Sequence, residues 1–215
     1  MKRRTIDVVV SVGGLLLAGL LLIAGLVLTS NANFANNYVR DQLAQQQITF
    51  KPAATLTAEE KQQACLVQYA GQPLTTGKQA ECYANNFIGL HLEGIAGGKT
   101  YAQLGDVQTQ LRAQIADAQK TNASNLADLQ KQLTDTTAAR ETVFKGETLR
   151  GLLLTSYGFS EFGNKAAQAA TVAYVASGVL FLLALFGLWH AAITPRTKAF
   201  AAPEPGKTER TAVSA

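Results

Sequence analysis

The two cysteines are the residues whose spacing most directly suggests chemistry. Cys65 and Cys82 are the only cysteines of the 215-residue chain, and the stretch between them includes a turn at 71–77 with two glycines and a proline. Their midpoint falls at this turn, as expected for facing positions on an antiparallel helical hairpin. No CxxC motif is present, which disfavours a redox-active pair. We therefore predict a structural disulfide, with two unpaired buried thiols as the alternative.

Histidine chemistry is limited to two side chains, His91 and His190. An iron centre built from two histidines and one carboxylate needs both of them on one metal ion. The apolar segments described below place them on opposite sides of a membrane, so one chain cannot build this centre. His91 with Glu93 is a minor alternative ligand pair. We expect no metal site and no cofactor.

The segment Glu93–Thr100, EGIAGGKT, has the ending of a phosphate-binding loop. The full loop needs a glycine where this chain has Glu93, and it needs a preceding strand. The segment is therefore predicted to break a helix. No GxSxG motif is present, and His91 is the only imidazole available to a nucleophile on its side of the membrane. These patterns predict a protein that is not an enzyme and has no catalytic residues.

Two apolar runs determine the predicted architecture. Val8–Leu28 contains 21 residues and no charge, and Ala169–Ile193 has ionisable groups only near its ends. As a helix, the first run is about 31 Å long, enough for a hydrocarbon core of roughly 30 Å. It also exceeds the roughly 7–15 apolar residues of a signal peptide, which favours an uncleaved anchor over a cleaved signal.

Basic residues flank the outer ends of both runs. Lys2, Arg3 and Arg4 precede the first run, and Arg196 and Lys198 follow the second. Cytoplasmic flanks carry an excess of Lys and Arg, so both termini are expected in the cytoplasm of a bacterial cell. The predicted domains are a cytoplasmic N-terminus (1–7), a transmembrane helix (8–28), an extracytoplasmic α-helical domain (29–168), a second transmembrane helix (169–193) and a disordered cytoplasmic tail (194–215).

Small residues recur at helical spacing in both runs. The candidates for helix packing in the membrane are Gly14, Ala18 and Gly25 in the first run and Ala169, Ala173 and Ser177 in the second. Such stripes let helix backbones approach closely in lipid. They predict that the two spans pack on each other or, alternatively, that one stripe receives a partner's helix.

The segment between the runs has the composition of helices, with little apolar alternation, which predicts an all-α membrane protein. Helices are expected at 31–47, 57–70 and 75–93. Thr57 with Glu60 matches a capping box that opens the second of these. Apolar residues recur every three or four positions over 101–157. A break at 121–125 would make an antiparallel hairpin, which we prefer over one long rod.

The net charge of +4 lies outside this segment, because residues 31–168 hold twelve Lys+Arg and twelve Asp+Glu. A surface for nucleic acid would place its basic residues on the folded domain. Nucleic acid is therefore excluded as a partner. The expected partners are the lipid bilayer and either another membrane protein or further copies of the chain.

Several stretches in order resemble a family of actinobacterial two-span membrane proteins of unassigned function. They are YAGQPLTTGKQAECYANNFIGLHL at 69–92, GKTYA at 98–102, FKGETLRGLLLTSYGF at 144–159 and LWH at 188–190. Members are often labelled aromatic ring-opening dioxygenases. The resemblance implies topology and compartment, and the histidine argument above supplies no catalytic residues for that label.

Two functions are weighed against each other. The first is a structural or accessory subunit of a cell-envelope complex, such as a respiratory or transport assembly. Its contact candidates are Tyr83, Phe87, Leu90, Tyr101 and the ridge Leu149–Leu154, which would otherwise belong to the core of the domain. The second is an extracytoplasmic ligand sensor that works through a separate membrane partner, because the predicted tail is too short for a signalling domain.

Overall fold

The computed structural model describes residues 3–195, and within them the chain is all-helical, as predicted. The α-helices are α1 (Arg3–Gln45), α2 (Ala58–Gln62), α3 (Ala64–Gln68), α4 (Gly77–Cys82), α5 (Leu90–Glu93), α6 (Tyr101–Thr121) and α7 (Leu126–Ile193). A π-helix, Tyr83–Gly89, joins α4 to α5. Lys2, the flanking Arg196 and Lys198, and the predicted tail from residue 196 onward lie outside the described residues.

Two of these helices, α1 and α7, are long and apolar enough to cross a membrane. They contain the two predicted apolar runs. The described chain divides into two compact units, which we call the apolar unit (residues 3–30 and 166–195) and the polar unit (residues 31–165).

In the apolar unit, α1 and α7 run antiparallel and touch through small residues. The Ser177 hydroxyl donates to the Ala18 carbonyl oxygen at 2.8 Å. A Cβ placed on Gly14 would lie 3.4 Å from the Cβ of Ala184. With so little side chain between the helices, their backbones approach closely, and large apolar side chains cover the outer surface.

Most buried residues of the apolar unit follow a seven-residue spacing. They are Ser11, Ala18 and Gly25 on α1 and Ala170, Ser177, Ala184 and Ala191 on α7. Ala173 and Thr194 are also buried, outside this spacing. The prediction for Ala169 is wrong: it is exposed, and Ala170 takes the buried position at 2% exposure. Residue 170 lies seven before Ser177, so it shares that residue's face, whereas Ala169 is turned about 100° away.

A polar contact joins the two helices near one end of this unit. His190 Nδ1 lies 3.0 Å from Asp7 Oδ2, at hydrogen-bond distance. In this contact an imidazole N–H donates and the carboxylate oxygen accepts.

The core of the polar unit gathers side chains from α1, α3, α4, the π-helix and α7. Its members are Val39, Leu43, Phe50, Leu66, Leu74, Ala80, Cys82, Ala84, Ile88 and Leu153. Two extended segments pair beside it: the Phe50 amide donates to the Gln72 carbonyl oxygen at 3.0 Å and the Leu74 amide to that of Ile48 at 2.8 Å. This pairing holds the α3–α4 segment against the end of α1.

The predicted disulfide is present in the polar unit. Cys65 on α3 is bonded to Cys82 at the end of α4, with 6.0 Å between their Cα atoms. The helices around it differ from the prediction. The expected helix 57–70 is interrupted at Gln63, whose backbone is extended and whose side chain accepts from Asn86 Nδ2 at 2.6 Å. The expected helix 75–93 changes to π geometry after Cys82.

The hairpin preferred for residues 101–157 is confirmed. Helix α6 ends at Thr121 and is followed by its C-cap Asn122, which adopts the left-handed conformation with φ 51°, and α7 begins at Leu126. The two helices run antiparallel in the polar unit, where Gln108 Nε2 donates to the Thr137 hydroxyl at 2.7 Å.

The close contact at Gly25 gives a first prediction. A Cβ on Gly25 would lie 2.6 Å from the ring of Tyr174, whereas one on Gly19 would meet nothing within 4 Å. We expect Gly25→Val to destabilise the apolar unit by about 1–3 kcal/mol, because overpacking displaces the ring. Thermal unfolding in detergent, followed by emission of the sole tryptophan, Trp189, measures the change. Gly19→Val is the matched control, and equal losses in both variants would contradict this packing.

The disulfide gives a second prediction. Replacing Cys65 and Cys82 by serine should lower the free energy of unfolding of the polar unit by about 3 kcal/mol, because the open chain regains loop entropy. Urea unfolding followed by tyrosine near-ultraviolet circular dichroism is suitable, since five of the six tyrosines lie in this unit. Wild-type protein treated with reductant should unfold at the same urea midpoint as the double variant. An unchanged midpoint in both samples contradicts a stabilising bond.

Candidate functional site

The residues singled out for metal chemistry lie in separate places. His91 contacts Glu60 in the polar unit, and His190 contacts Asp7 in the apolar unit. Within residues 3–195, no three His, Cys, Asp or Glu side chains converge as a metal site would require. The GKT segment forms the start of α6: Thr100 caps that helix by accepting from the Gln103 amide, after two glycines with positive φ.

The most deeply buried ionisable side chain belongs to a cluster around Glu60. Glu60 is fully buried, and its carboxylate accepts from Lys51 Nζ at 2.7 Å and from the Thr57 amide at 2.8 Å. His91 Nε2 lies 3.5 Å from the same carboxylate. The Thr57 contact completes the predicted capping box of α2. The Glu60 carboxylate of α2 thus contacts both α5, through His91, and the segment after α1, through Lys51.

The π-helix supplies the aromatic wall beside this cluster. Tyr83 and Phe87 lie four residues apart with ring centroids 4.6 Å apart, and Tyr83 packs edge-on against Phe50. Lys51 Nζ lies 5.2 Å from the centroid of the Phe87 ring. The His91 Nδ1 donates to the Phe87 carbonyl oxygen, because a carbonyl only accepts. The contact candidates Tyr83 and Phe87 therefore pack on the core.

The cluster shifts the pKa of its carboxyl group. The hydrogen bond from Lys51 is the main cause that holds the pKa of Glu60 below its ordinary value of 4.5, and burial opposes it. The negative charge of Glu60 is paired with the positive charge of Lys51, and the Glu60 side chain is buried. These are the properties of a structural ion pair rather than of a group that meets a substrate.

A second cluster, which we call the aromatic–arginine patch, lies on the α6–α7 hairpin and stays open to solvent. It consists of Tyr101, Arg140 and Phe144. The Arg140 guanidinium lies 4.0 Å from the centroid of the Tyr101 ring, and the rings of Tyr101 and Phe144 are 5.6 Å apart. Tyr101 is 44% exposed and Phe144 53%.

Hydrogen bonds fix the guanidinium of this patch in place. Arg140 Nε donates to the Tyr101 carbonyl oxygen at 3.2 Å, and its Nη1 donates to Gln108 Oε1 at 2.7 Å. Gly105 leaves room for it, because a Cβ there would lie 3.0 Å from Arg140 Nη2. Among the described residues Arg140 forms no salt bridge, while its neighbour Glu141 pairs with Lys145 at 3.2 Å.

The patch was predicted only in part. Tyr101 was a contact candidate, but Arg140 and Phe144 were not. Two features of the sequence could have identified the patch. They are Gly105, four residues after Tyr101 on α6, and the four-residue spacing of Arg140 and Phe144 on α7. Each spacing places its pair on one helix face. The other contact candidates are divided: Leu153 belongs to the core, Leu149 and Leu152 are exposed, and Leu90 is half-buried.

Comparison of the chain with models of known protein families, with curated proteins and with solved structures finds no match. The resemblance to the actinobacterial two-span family therefore stays a prediction.

The Glu60 cluster gives a third prediction. We expect Glu60→Gln to lower the free energy of unfolding of the polar unit by about 1–2 kcal/mol at pH 7, a modest cost because Lys51 is 37% exposed at its side chain. A carboxyl with a lowered pKa stabilises the fold above its unfolded pKa and loses this effect as the pH falls through the folded value. The difference between wild type and variant should therefore shrink below about pH 4.5.

Urea unfolding from pH 3 to 8, followed by tyrosine circular dichroism, measures this difference. The matched control is Glu59→Gln, which removes an exposed carboxylate from the same helix, α2. The free energy of unfolding of this control should equal that of wild type at every pH. A Glu60→Gln difference that stays constant from pH 7 to pH 3 would count against the charged contact.

Proposed function

We propose that this chain is a non-enzymatic two-pass protein of a bacterial plasma membrane and an accessory subunit of a cell-envelope complex, such as a respiratory or transport assembly. In this proposal α1 and α7 both cross the bilayer. Both termini are cytoplasmic, since Arg3 and Arg4 precede the first apolar run. The polar unit is extracytoplasmic, in agreement with its disulfide, because such bonds persist in oxidising compartments.

The single observation that carries the proposal is the aromatic–arginine patch. Tyr and Arg are enriched among the residues that dominate binding energy at protein interfaces. The guanidinium of Arg140 is already held by two acceptors, so little side-chain entropy remains to be lost on binding. Its charge has no carboxylate partner among the described residues. The patch therefore fits a partner protein that offers an Asp or Glu beside an apolar surface.

A ligand sensor is the second candidate, and a different observation favours it. The polar unit has an apolar groove with a volume of about 410 Å³, within the usual range of small-molecule sites. Such a sensor would act through a separate membrane partner.

Charge reversal in the patch tests the docking function. We expect Arg140→Glu to lower recovery of a co-purifying membrane protein about thirtyfold or more, because a hot-spot residue at an interface is worth about 2 kcal/mol or more and each 1.4 kcal/mol is tenfold. The measurement is affinity purification of the C-terminally tagged chain in mild detergent, with quantitative mass spectrometry and an absorbance scan for haem. Arg112→Glu, an exposed arginine on α6 outside the patch, is the matched control.

Site-specific photo-crosslinking in cells adds an independent readout. A photoreactive amino acid in place of Phe144 should crosslink to the same protein, and one in place of exposed Lys131 should not. Recovery of the bare chain alone, or equal recovery with both arginine variants, would contradict docking through this patch.

A further inference from the structure

We propose that a small polar cavity of the polar unit binds a free α-amino acid with an uncharged side chain. This inference goes beyond the docking function and does not rest on it. The cavity shares no lining residue with the apolar groove or with the pocket at the aromatic–arginine patch. Its occupant supplies the class of ligand that the sensor candidate needs.

Three separate segments of the chain build this cavity. The first is the π-helix, the second is the EGIAGGKT segment that leads from α5 to α6, and the third is α7. Stretches of π-helix are rare and occur frequently at functional sites. The cavity therefore combines two local features that the docking function leaves unused, the π geometry and the glycine-rich segment.

The guanidinium of Arg150 is fixed beside this cavity by two neighbours. Its Nη1 donates to Glu147 Oε1 at 3.3 Å, and its Nη2 donates to Asn85 Oδ1 at 3.3 Å. Its Nε is buried and has no hydrogen-bond partner within the described part of the chain. A Cβ on Gly89 would lie 3.9 Å from this Nε, so the glycine keeps that side of the guanidinium free of a side chain.

An unpaired buried donor costs free energy, so a ligand that brings an acceptor to Arg150 Nε is favoured. A carboxylate is the acceptor that suits a guanidinium best, because its two oxygens can accept from two N–H groups at once. The cavity therefore offers a preformed contact for the carboxylate of a ligand.

Lys99 adds a second cation to the lining. Gly97 and Gly98, which precede it, have positive φ of 67° and 71°, a turn that glycine adopts without strain. A Cβ on Gly97 would lie 3.8 Å from Lys99 Nζ, so the ammonium group lies back over its own loop. Helix α6 begins two residues later, at Tyr101, and the positive end of its dipole also favours an anionic group.

Glu93 supplies the opposite charge to the same cavity. Among residues 3–195, neither Glu93 nor Lys99 forms a salt bridge, whereas Glu147 pairs with Arg150. Two acidic and two basic residues line the cavity, so its formal charge is zero. A neutral site with free charges of both signs suits a zwitterion better than a simple anion. The ligand carboxylate binds Arg150 and Lys99, and its ammonium group binds Glu93.

The volume of the cavity, about 140 Å³, limits the size of this zwitterion. At roughly 30 Å³ for each water molecule in the liquid, it has room for about five waters or a similar number of heavy atoms. Sites for drug-sized molecules begin at about 300 Å³. Glycine and alanine match the volume and carry both charges, and Leu92 and Val143 in the lining suit a short aliphatic side chain.

Isothermal titration calorimetry of the full chain in mild detergent tests the proposal. The titrants are L-alanine, propionate and ethylamine, because propionate lacks the ammonium group of alanine and ethylamine lacks its carboxylate. We expect saturable binding of alanine, with each of the other two bound at least about tenfold more weakly, since each loses one charge-assisted contact.

Two exposed residues of the cavity provide variants that separate the two ends of the ligand. Glu93→Gln should weaken alanine binding about tenfold without weakening propionate binding, whereas Lys99→Gln should weaken the binding of both. The matched controls are Glu59→Gln and Lys120→Gln, which remove exposed charges outside the cavity and should leave alanine binding unchanged. Circular dichroism checks the fold of each variant, and if one cavity variant fails to fold, the other decides with its own control.

Three results would overturn the proposal. The first is the absence of saturable binding for both alanine and glycine. The second is alanine binding that neither Glu93→Gln nor Lys99→Gln weakens, which would place the amino acid elsewhere. The third is propionate or inorganic phosphate bound as tightly as alanine, which would make the cavity a simple anion site. None of these variants replaces a residue of the aromatic–arginine patch, so this failure is distinct from a failure of docking.

Discussion

The close approach of two antiparallel helices through small side chains is the contact on which the architecture depends. In the apolar unit, Ala18 and Ser177 meet where a larger side chain would separate the backbones. If the two helices cross a bilayer as proposed, lipid supplies no hydrophobic force between them, so packing and a few hydrogen bonds must hold them. The Ser177 hydroxyl and the His190–Asp7 contact provide such bonds at separate points along the pair.

The polar unit is stabilised in a different way, because its short helices cannot be stable by themselves. Helices α2 to α5 have four to six residues each. Two capping boxes close the first turns of α2 and α4, and the disulfide and the buried Glu60 carboxylate join separate segments of the chain. With this region fixed, the long helices can leave apolar and aromatic side chains exposed without loss of the fold.

The sequence predicts the features that depend on local rules. The two apolar runs, the capping box at Thr57 and the break before Leu126 all follow from composition and short-range spacing. The disulfide follows from symmetry about a turn. The register of α7 was not predictable from a stripe of small residues alone, since Ala169 and Ala170 are equally small and only the partner helix selects between them. The π-helix and the Arg140 contacts likewise depend on tertiary packing.

The aromatic–arginine patch and the groove also differ in what they can recognise. A guanidinium held over an aromatic ring distinguishes partners by a carboxylate and its geometry, so it suits a specific protein contact. A mainly apolar groove without a charged residue in its lining offers no such fixed charge and is therefore less selective. Both surfaces belong to the polar unit and include residues of α7.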